Sequence, residues 1–286
     1  AQHGTPEQQA RWLGDLVSGR KTAFFALTEP NVGSDASNVE TRARRDGDGW
    51  RLNGRKLYIS NGTGADLGVV FARSGDGERA EVSAFVVEAG TAGFSTREVR
   101  SMGMNSCPLG ELLFEDVLLP ADHLIGAEGE AFAIAKHYLN VGRCFVSFTC
   151  LGLSIAAYEA ALRYAGAREQ FGRKIGGFQL VQQMIADMLT GVETSRLLAC
   201  RAADALDRGA PDRGRACSMA KRHNSDTALR VCETALQVHG GAGYTRDFPV
   251  ERYYRDVRHL TIAEGTNQLQ ALLLAQGALG ISALRG

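Results

Sequence analysis

Glu264 stands in the run IleAlaGluGlyThrAsn, directly before Gly265-Thr266 and an apolar helical stretch. A carboxylate in a dry pocket has a raised pKa and is a stronger base than one in water, so a glutamate here can serve as a general base. The same placement equally suits a solvated residue near a helix N-terminus, where the dipole favours negative charge. Arg168 heads the run ArgGluGlnPheGlyArgLysIle (168–175). Its planar fork of donors matches a phosphate, and a solvated ion pair with Glu169 at a helix end is the plain alternative. Gly240–Gly243 either admit a phosphate close to the backbone or simply terminate a helix. His137, His223, His239 and His259 include no pair at ligand spacing with a third partner, so no metal site is expected.

The elements that must position these residues change character along the chain. Thr5–Gly19 opens with a helix N-cap and a proline at the first helical position and closes on glycine, which predicts one short helix. From about Thr22 to Ile125 come short alternating or β-branched runs (Val69–Ala72, Val82–Val87, Glu111–Phe114). AspGlyAspGly, AsnGly, SerGlyAspGly and AlaGly turns separate them. That texture predicts an antiparallel barrel or sandwich. After Gly126, apolar residues at three- and four-residue spacing over roughly 128–166, 178–208, 212–239 and 265–280 predict an antiparallel four-helix bundle. The expected class is α+β, with residues 1–21 a lone helix, 22–125 the β-domain and 126–286 the bundle. No strand–GxGxxG–helix unit is present, so a nucleotide cofactor would bind in some way other than on a Rossmann fold.

Lys plus Arg and Asp plus Glu each number 32 in the 286 residues, so no global field draws the chain to nucleic acid or to an anionic membrane. Any anionic ligand must be held by local charge. The charged stretches Arg42–Asp48 and Arg208–Arg215 read as solvated turns and helix ends. Cys107, Cys144, Cys150, Cys200, Cys217 and Cys232 form no CxxC pair and are read as reduced thiols of the core, which suggests a reducing compartment. Residues 1–11 show no secretory signal pattern, and no apolar run is expected to span a membrane; the longest candidate, Leu269–Ile281, reads as a packed helix. A cytoplasmic location is expected.

Three segments in order carry a resemblance: AlaLeuThrGluProAsnValGlySerAsp (26–35), the 168–175 run with Gln179, and GlnValHisGlyGlyAlaGlyTyr (237–244) running on to IleAlaGluGlyThrAsnGlnLeuGln (262–270). Together they resemble the acyl-CoA dehydrogenase family, over essentially the whole chain. The resemblance implies FAD-dependent α,β-dehydrogenation of an acyl thioester. Glu264 matches the catalytic base that removes the α-proton, its own backbone N–H is implied to bind the thioester oxygen, and the β-hydrogen leaves as hydride to flavin N5. Some members carry the base instead on a bundle helix, immediately before the arginine matching Arg143; Gly142 occupies that place here.

For FAD, the resemblance implies contacts from Leu27, Thr28, Gly33 and Ser34 of the ThrGluPro segment, and from Tyr58 and Ser60 of TyrIleSerAsnGly. The alternative for Tyr58 and Ile59 is that both simply fill a strand. Arg168, Phe171 and Gln179 are implied to reach the pyrophosphate and adenosine of a neighbouring subunit's FAD, and Gln237 and Gly241 match further dinucleotide contacts. Thr266 and Gln268 add contacts at the start of the last helix, where free N–H groups favour anions. Ser34 and Arg143 are implied to bind substrate, Arg143 at the CoA portion. Asn140, where aspartate is common, leaves room for a carrier-protein thioester, and Ala263, in place of a bulkier aromatic, suits a wider acyl pocket.

Implied partners are an acyl-CoA, an electron-transfer flavoprotein as acceptor, and further copies of the chain as a homodimer or homotetramer. Family members begin with an all-helical domain that forms part of the acyl-pocket wall. Only its last helix, Thr5–Gly19, is expected here, so either a fragment or a partner chain is expected to account for the rest. The competing readings are a related flavin monooxygenase or nitroalkane oxidase, which the glutamate at 264 argues against, and a non-catalytic subunit that completes a partner's flavin site.

Overall fold

The computed structural model describes residues 2–75 and 81–284. They form two compact units, one up to His137 and one from Tyr138 onward.

In the first unit, helix α1 (Pro6–Val17) begins as the sequence predicts. The Thr5 hydroxyl accepts from the Gln8 N–H while the Gln8 side chain accepts from the Thr5 N–H, a reciprocal cap. The Gln8 amide also donates to the carbonyls of Asp122 and Leu124 at 2.7 and 2.8 Å, and Trp12 packs against Leu67 and Val86, which ties α1 to the sheet.

That sheet contains β1 (Ala23–Ala26), β2 (Arg42–Asp46), β3 (Gly49–Ser60), β4 (Leu67–Ser74), β5 (Glu81–Glu88), β6 (Phe94–Val99), β7 (Leu109–Leu119) and β8 (Leu124–Ile125). The order is β6-β7-β3-β2-β4-β5-β8, with β1 pairing off this path against β4. Trp50, Leu52, Phe85, Leu112 and Phe114 form its core. Two details correct the sequence reading. The path ends at β6 and β8, so the barrel is not closed, and β1 and β2 each pair with β4 in parallel, so the sheet is not wholly antiparallel. AspGlyAspGly does turn β2 into β3, with Asp46 paired to Gly49 across a two-residue loop. Asn61-Gly62 likewise turns the chain between β3 and β4, whereas Asn53-Gly54 lies within β3 at a register irregularity. SerGlyAspGly runs from the end of β4 into residues 76–80, outside the described residues.

Helix α2 (Ala131–Ala167) starts in the first unit, where Ala131 and Ala135 pack with Val39, Phe71, Val82 and Ala84, and runs on into the second. After a two-residue hairpin of β9 (Glu169–Gln170) and β10 (Arg173–Lys174) follow α3 (Gln179–Asp207), α4 (Arg213–His239), α5 (Val250–Arg258) and α6 (Asn267–Leu279). The four long helices match expectation. Helix α5 was not foreseen because ValGluArgTyrTyrArgAspValArg is mostly charged and fully buries only Val250 and Val257. Small side chains let the bundle close: Ala157, Ala161 and Ala165 of α2 meet Ala228, Cys232 and Ala235 of α4 in one cluster with Met188 of α3. One membrane expectation needs correcting, since α2 is long and apolar enough, by length and composition alone, to cross a bilayer. Its buried apolar residues build the cores, while Phe132, Val141, Phe145, Phe148 and Leu162 stay exposed. Among the cysteines, all free, Cys144, Cys150, Cys217 and Cys232 are buried as expected, whereas Cys107 is partly exposed and Cys200 is exposed.

Candidate active site

The chain turns sharply before α6 through two consecutive left-handed residues, Glu264 at φ 57° and Gly265 at φ 84°. Such a conformation is costly for a residue with a side chain and persists only where its surroundings impose it. Both carbonyls of the turn are clamped. The Glu264 oxygen accepts from Arg143 Nε at 3.2 Å and Gln270 Nε2 at 3.1 Å, and the Gly265 oxygen from Lys221 Nζ at 2.9 Å and Gln270 Nε2 at 3.1 Å. A Cβ on Gly265 would lie 2.7 Å from Gln270 Nε2, so the second position of the turn requires glycine for space as well as for φ.

The clamp aims the carboxylate at α2. A Cβ built on Gly142 would stand 2.6 Å from Glu264 Oε2 and 2.8 Å from Cδ. The bare backbone of Gly142 therefore makes the space that the carboxylate fills. Burial pushes the Glu264 pKa above the ordinary carboxylate value, with the charges of Arg143 and then Lys221 pulling against it. Arg143, half-buried, also donates to Asn140 Oδ1 at 3.2 Å. A partly desolvated carboxylate with two cations nearby is a base that is raised in pKa yet kept ionisable.

Two predictions arise here. Gly142→Ala forces the carboxylate aside, and a displacement of that size lowers turnover by on the order of 10²-fold; unchanged turnover in a folded, flavin-loaded variant would contradict the placement. In a pH profile of kcat/KM, the limb on which the base gains its charge should lie above 4.5, the ordinary value from which Glu264 is raised. With Glu264 as the expected base the ionised form is the active one, so activity is lost as pH falls through the raised pKa, and a limb at or below 4.5 would contradict the burial.

In the first unit, a second polar arrangement fixes the ThrGluPro segment. Lys56 Nζ, on β3 and fully buried, pairs with Glu29 Oε1 at 2.7 Å and donates to the Leu27 carbonyl at 3.1 Å. Glu29, 2% exposed, also accepts from the backbone N–H groups of Glu40 and Thr41. Burial alone would raise the Glu29 pKa, but the Lys56 charge and these hydrogen bonds hold it below the ordinary value, while burial brings Lys56 down to about 8. The Leu57 N–H donates to the Thr28 carbonyl at 2.9 Å. Leu27 and Thr28 are thus set beside Tyr58, which stands at φ 60° on a β3 irregularity with 58% of its surface exposed. Ile59 is buried, so it fills the strand and Tyr58 does not. Ser60, Gly33 and Ser34 are exposed.

In the second unit, Phe171 and Gln179 line one cavity of about 750 Å³ with Arg173 and Phe178. Phe171 is 93% exposed at φ 53°, its ring edge-on to Phe178. Arg168 is joined to this hairpin through its carbonyl, which accepts from the Ile175 N–H at 2.8 Å. Gln237 and Gly241 lie exposed at the end of α4, and nothing stands within 4 Å of a Cβ on Gly241. Thr266 caps α6 through the Leu269 N–H at 3.2 Å, and Gln268 is exposed in its first turn. Among the described residues no group of His, Cys, Asp and Glu is placed to hold a metal.

The sequence reading missed Lys221, Asn267 and Gln270 around Glu264, and Glu29 and Lys56 under the ThrGluPro segment. Lys221 had one signal: it falls on the stripe Cys217, Lys221, Ser225 and Ala228, all buried along one side of α4.

A family model for the middle domain of acyl-CoA dehydrogenase matches residues 24–117, and one for its C-terminal domain matches residues 129–279. An "Acyl-CoA dehydrogenase" of Bacillus subtilis (strain 168) is 41% identical over 279 residues, covering 97% of this chain and 73% of the relative. The "Caffeyl-CoA reductase-Etf complex subunit CarC" of Acetobacterium woodii is 38% identical over 275 residues, 95% of this chain and 72% of its own length. The solved structure of butyryl-CoA dehydrogenase from Megasphaera elsdenii superposes with a TM-score of 0.94 at 39% identity, covering 97% of this chain and 73% of that one.

Proposed function

This chain belongs to the acyl-CoA dehydrogenase family, FAD-dependent oxidoreductases, and we propose that Glu264 is the base that takes the α-proton of the acyl thioester. The observation that carries this reading is the half-buried carboxylate held on a clamped left-handed turn in the space left by Gly142. The Glu264 carboxylate accepts the α-proton, and negative charge grows on the thioester oxygen as it does so. No acceptor among the described residues takes the Glu264 N–H, so that group is available to stabilise the charge. What FAD supplies when bound is acceptance of the β-hydrogen as hydride.

The residues present fit such a cofactor. Tyr58 displays a ring from a β3 irregularity beside the backbone of Leu27 and Thr28, with Ser60, Gly33 and Ser34 exposed nearby in sequence. Phe171 offers an uncovered aromatic face over a cavity that also holds the Gln179 amide and the Arg173 guanidinium, groups suited to an adenine and a phosphate. Arg168, Gln237, Gly241, Thr266 and Gln268 are assigned to the same dinucleotide. Arg143, beyond its bond to the Glu264 carbonyl, retains donors for the CoA portion, and Ser34 is assigned to substrate.

A relative named as part of a complex with Etf supports an electron-transfer flavoprotein as acceptor. Cofactor contacts drawn from two subunits call for a homodimer or homotetramer, and four buried free thiols suit a cytoplasmic setting. Anaerobic mixing with short, branched and long acyl-CoAs tests the reading. One class should bleach the flavin, and none should do so in Glu264→Gln. Equal bleaching in that variant would overturn it.

A further inference from the structure

Two cations touch the turn that carries Glu264, and only Arg143 has an assigned role. Lys221, on α4, is fully buried, and it is not paired with a carboxylate. Its ammonium donates to the Gly265 carbonyl and to Asn267 Oδ1, both at 2.9 Å. Asn267 is held in turn: its amide donates to Ser225 Oγ at 2.9 Å and Asp226 Oδ1 at 2.7 Å, and its oxygen also accepts from Ser225 Oγ at 3.1 Å. A lone ammonium taken out of water is expensive, and a methionine or leucine there would pack at less cost. The site invests that cost in one backbone oxygen, that of the residue following Glu264.

We propose that Lys221 is a positioning residue for the base, its ammonium anchoring the left-handed Glu264–Gly265 turn to α4 and the first turn of α6. This rests on Glu264 being the base. Without the anchor the Gly265 oxygen keeps only the Gln270 amide, which it shares with the Glu264 oxygen. The Gln270 side-chain oxygen is itself buried with no partner, so it has no second hold on the turn. The ammonium also lends charge. The groups that act on Glu264 are Arg143 from α2 and Lys221 from α4, and those around Lys221 are Cys150 and Arg143 from α2, Asp226 from α4, and Glu264.

The test compares Lys221→Met and Lys221→Gln with wild type as purified, flavin-loaded protein, reading kcat, KM for a reactive acyl-CoA, and the pH profile of kcat. Lys221→Met removes anchor and charge. It should lower kcat by on the order of 10²-fold with KM changed far less, and move the acid limb upward by roughly one pH unit. Lys221→Gln restores a donor without the charge. It should recover part of kcat while leaving the limb displaced. A merely structural lysine would change thermal stability and leave the limb where it was. Wild-type kcat and an unmoved limb in Lys221→Met would overturn the proposal. Should that variant fail to fold, an unmoved limb and wild-type kcat in Lys221→Gln would overturn it equally. Glu264→Gln in the same series separates the two readings: if it retains full turnover, the base assignment has failed, whereas an inactive Glu264→Gln beside wild-type-like Lys221 variants sinks this proposal alone.

Discussion

Glu264→Gln should yield a yellow, folded protein whose turnover is lower by on the order of 10²–10⁴-fold, the range lost with a positioned general base. Glutamine keeps the shape of the side chain and leaves the turn intact, because Arg143, Gln270 and Lys221 grip backbone carbonyls rather than the carboxylate. What it removes is the ability to accept a proton. KM should change little, since the lost interaction forms in the transition state. Flavin absorbance and steady-state kinetics on the same preparation check this. Turnover within tenfold of wild type, with flavin bound, would show that another group takes the proton.

Lys56→Met should destabilise the first unit by about 3–5 kcal/mol, the cost of breaking a buried ion pair from one side. Glu29 would keep two backbone N–H donors but lose the charge beside it, in a site almost closed to water. The pH dependence gives the sign. In wild type, Glu29 is held below its ordinary pKa, so it contributes stability above 4.5 that is lost as pH falls through its lowered value. Lys56, brought down to about 8 from 10.5, makes stability rise with pH between those values, because there the unfolded chain binds the extra proton. Lys56→Met removes both effects, so the gap to wild type should narrow on acidification below 4.5 and widen further between pH 8 and 10.5. Urea unfolding at several pH values measures this. A difference under about 1 kcal/mol at pH 7, the scale of an exposed pair, would contradict the buried pairing.

Much of the fold was legible because it rests on local periodicity. The four long helices show in three- and four-residue apolar spacing, and Thr5 with Gln8 announces the first helix. What stayed hidden is long-range or runs against residue type. Nothing local to PheAla or ArgAlaArgArg says that β1 and β2 lie parallel to β4, so the open sheet could not be told from a barrel. Helix α5 carries a stripe, Val250, Tyr253, Tyr254 and Val257, but it spans only nine residues and escaped a search for long periodic runs.

At the site, motif order picked out Glu264 and Arg143, and Gly142 was noticed only as the absence of a base. Its spacing from the carboxylate turns that absence into a requirement for room. Lys56, Glu29 and Lys221 escaped because a lone charged residue reads as solvated until its buried partners, 27 and 44 positions away for the two lysines, are known.

The most direct test of the base isolates proton removal from oxidation. An acyl-CoA analogue with sulfur in place of the β-carbon keeps its α-protons but has no β-hydride to give. Incubated in D2O with the flavin-loaded enzyme and followed by mass spectrometry, it should take up deuterium at the α-carbon with wild type, and only at the uncatalysed rate with Glu264→Gln. Equal exchange by the two proteins would show that Glu264 is not the base.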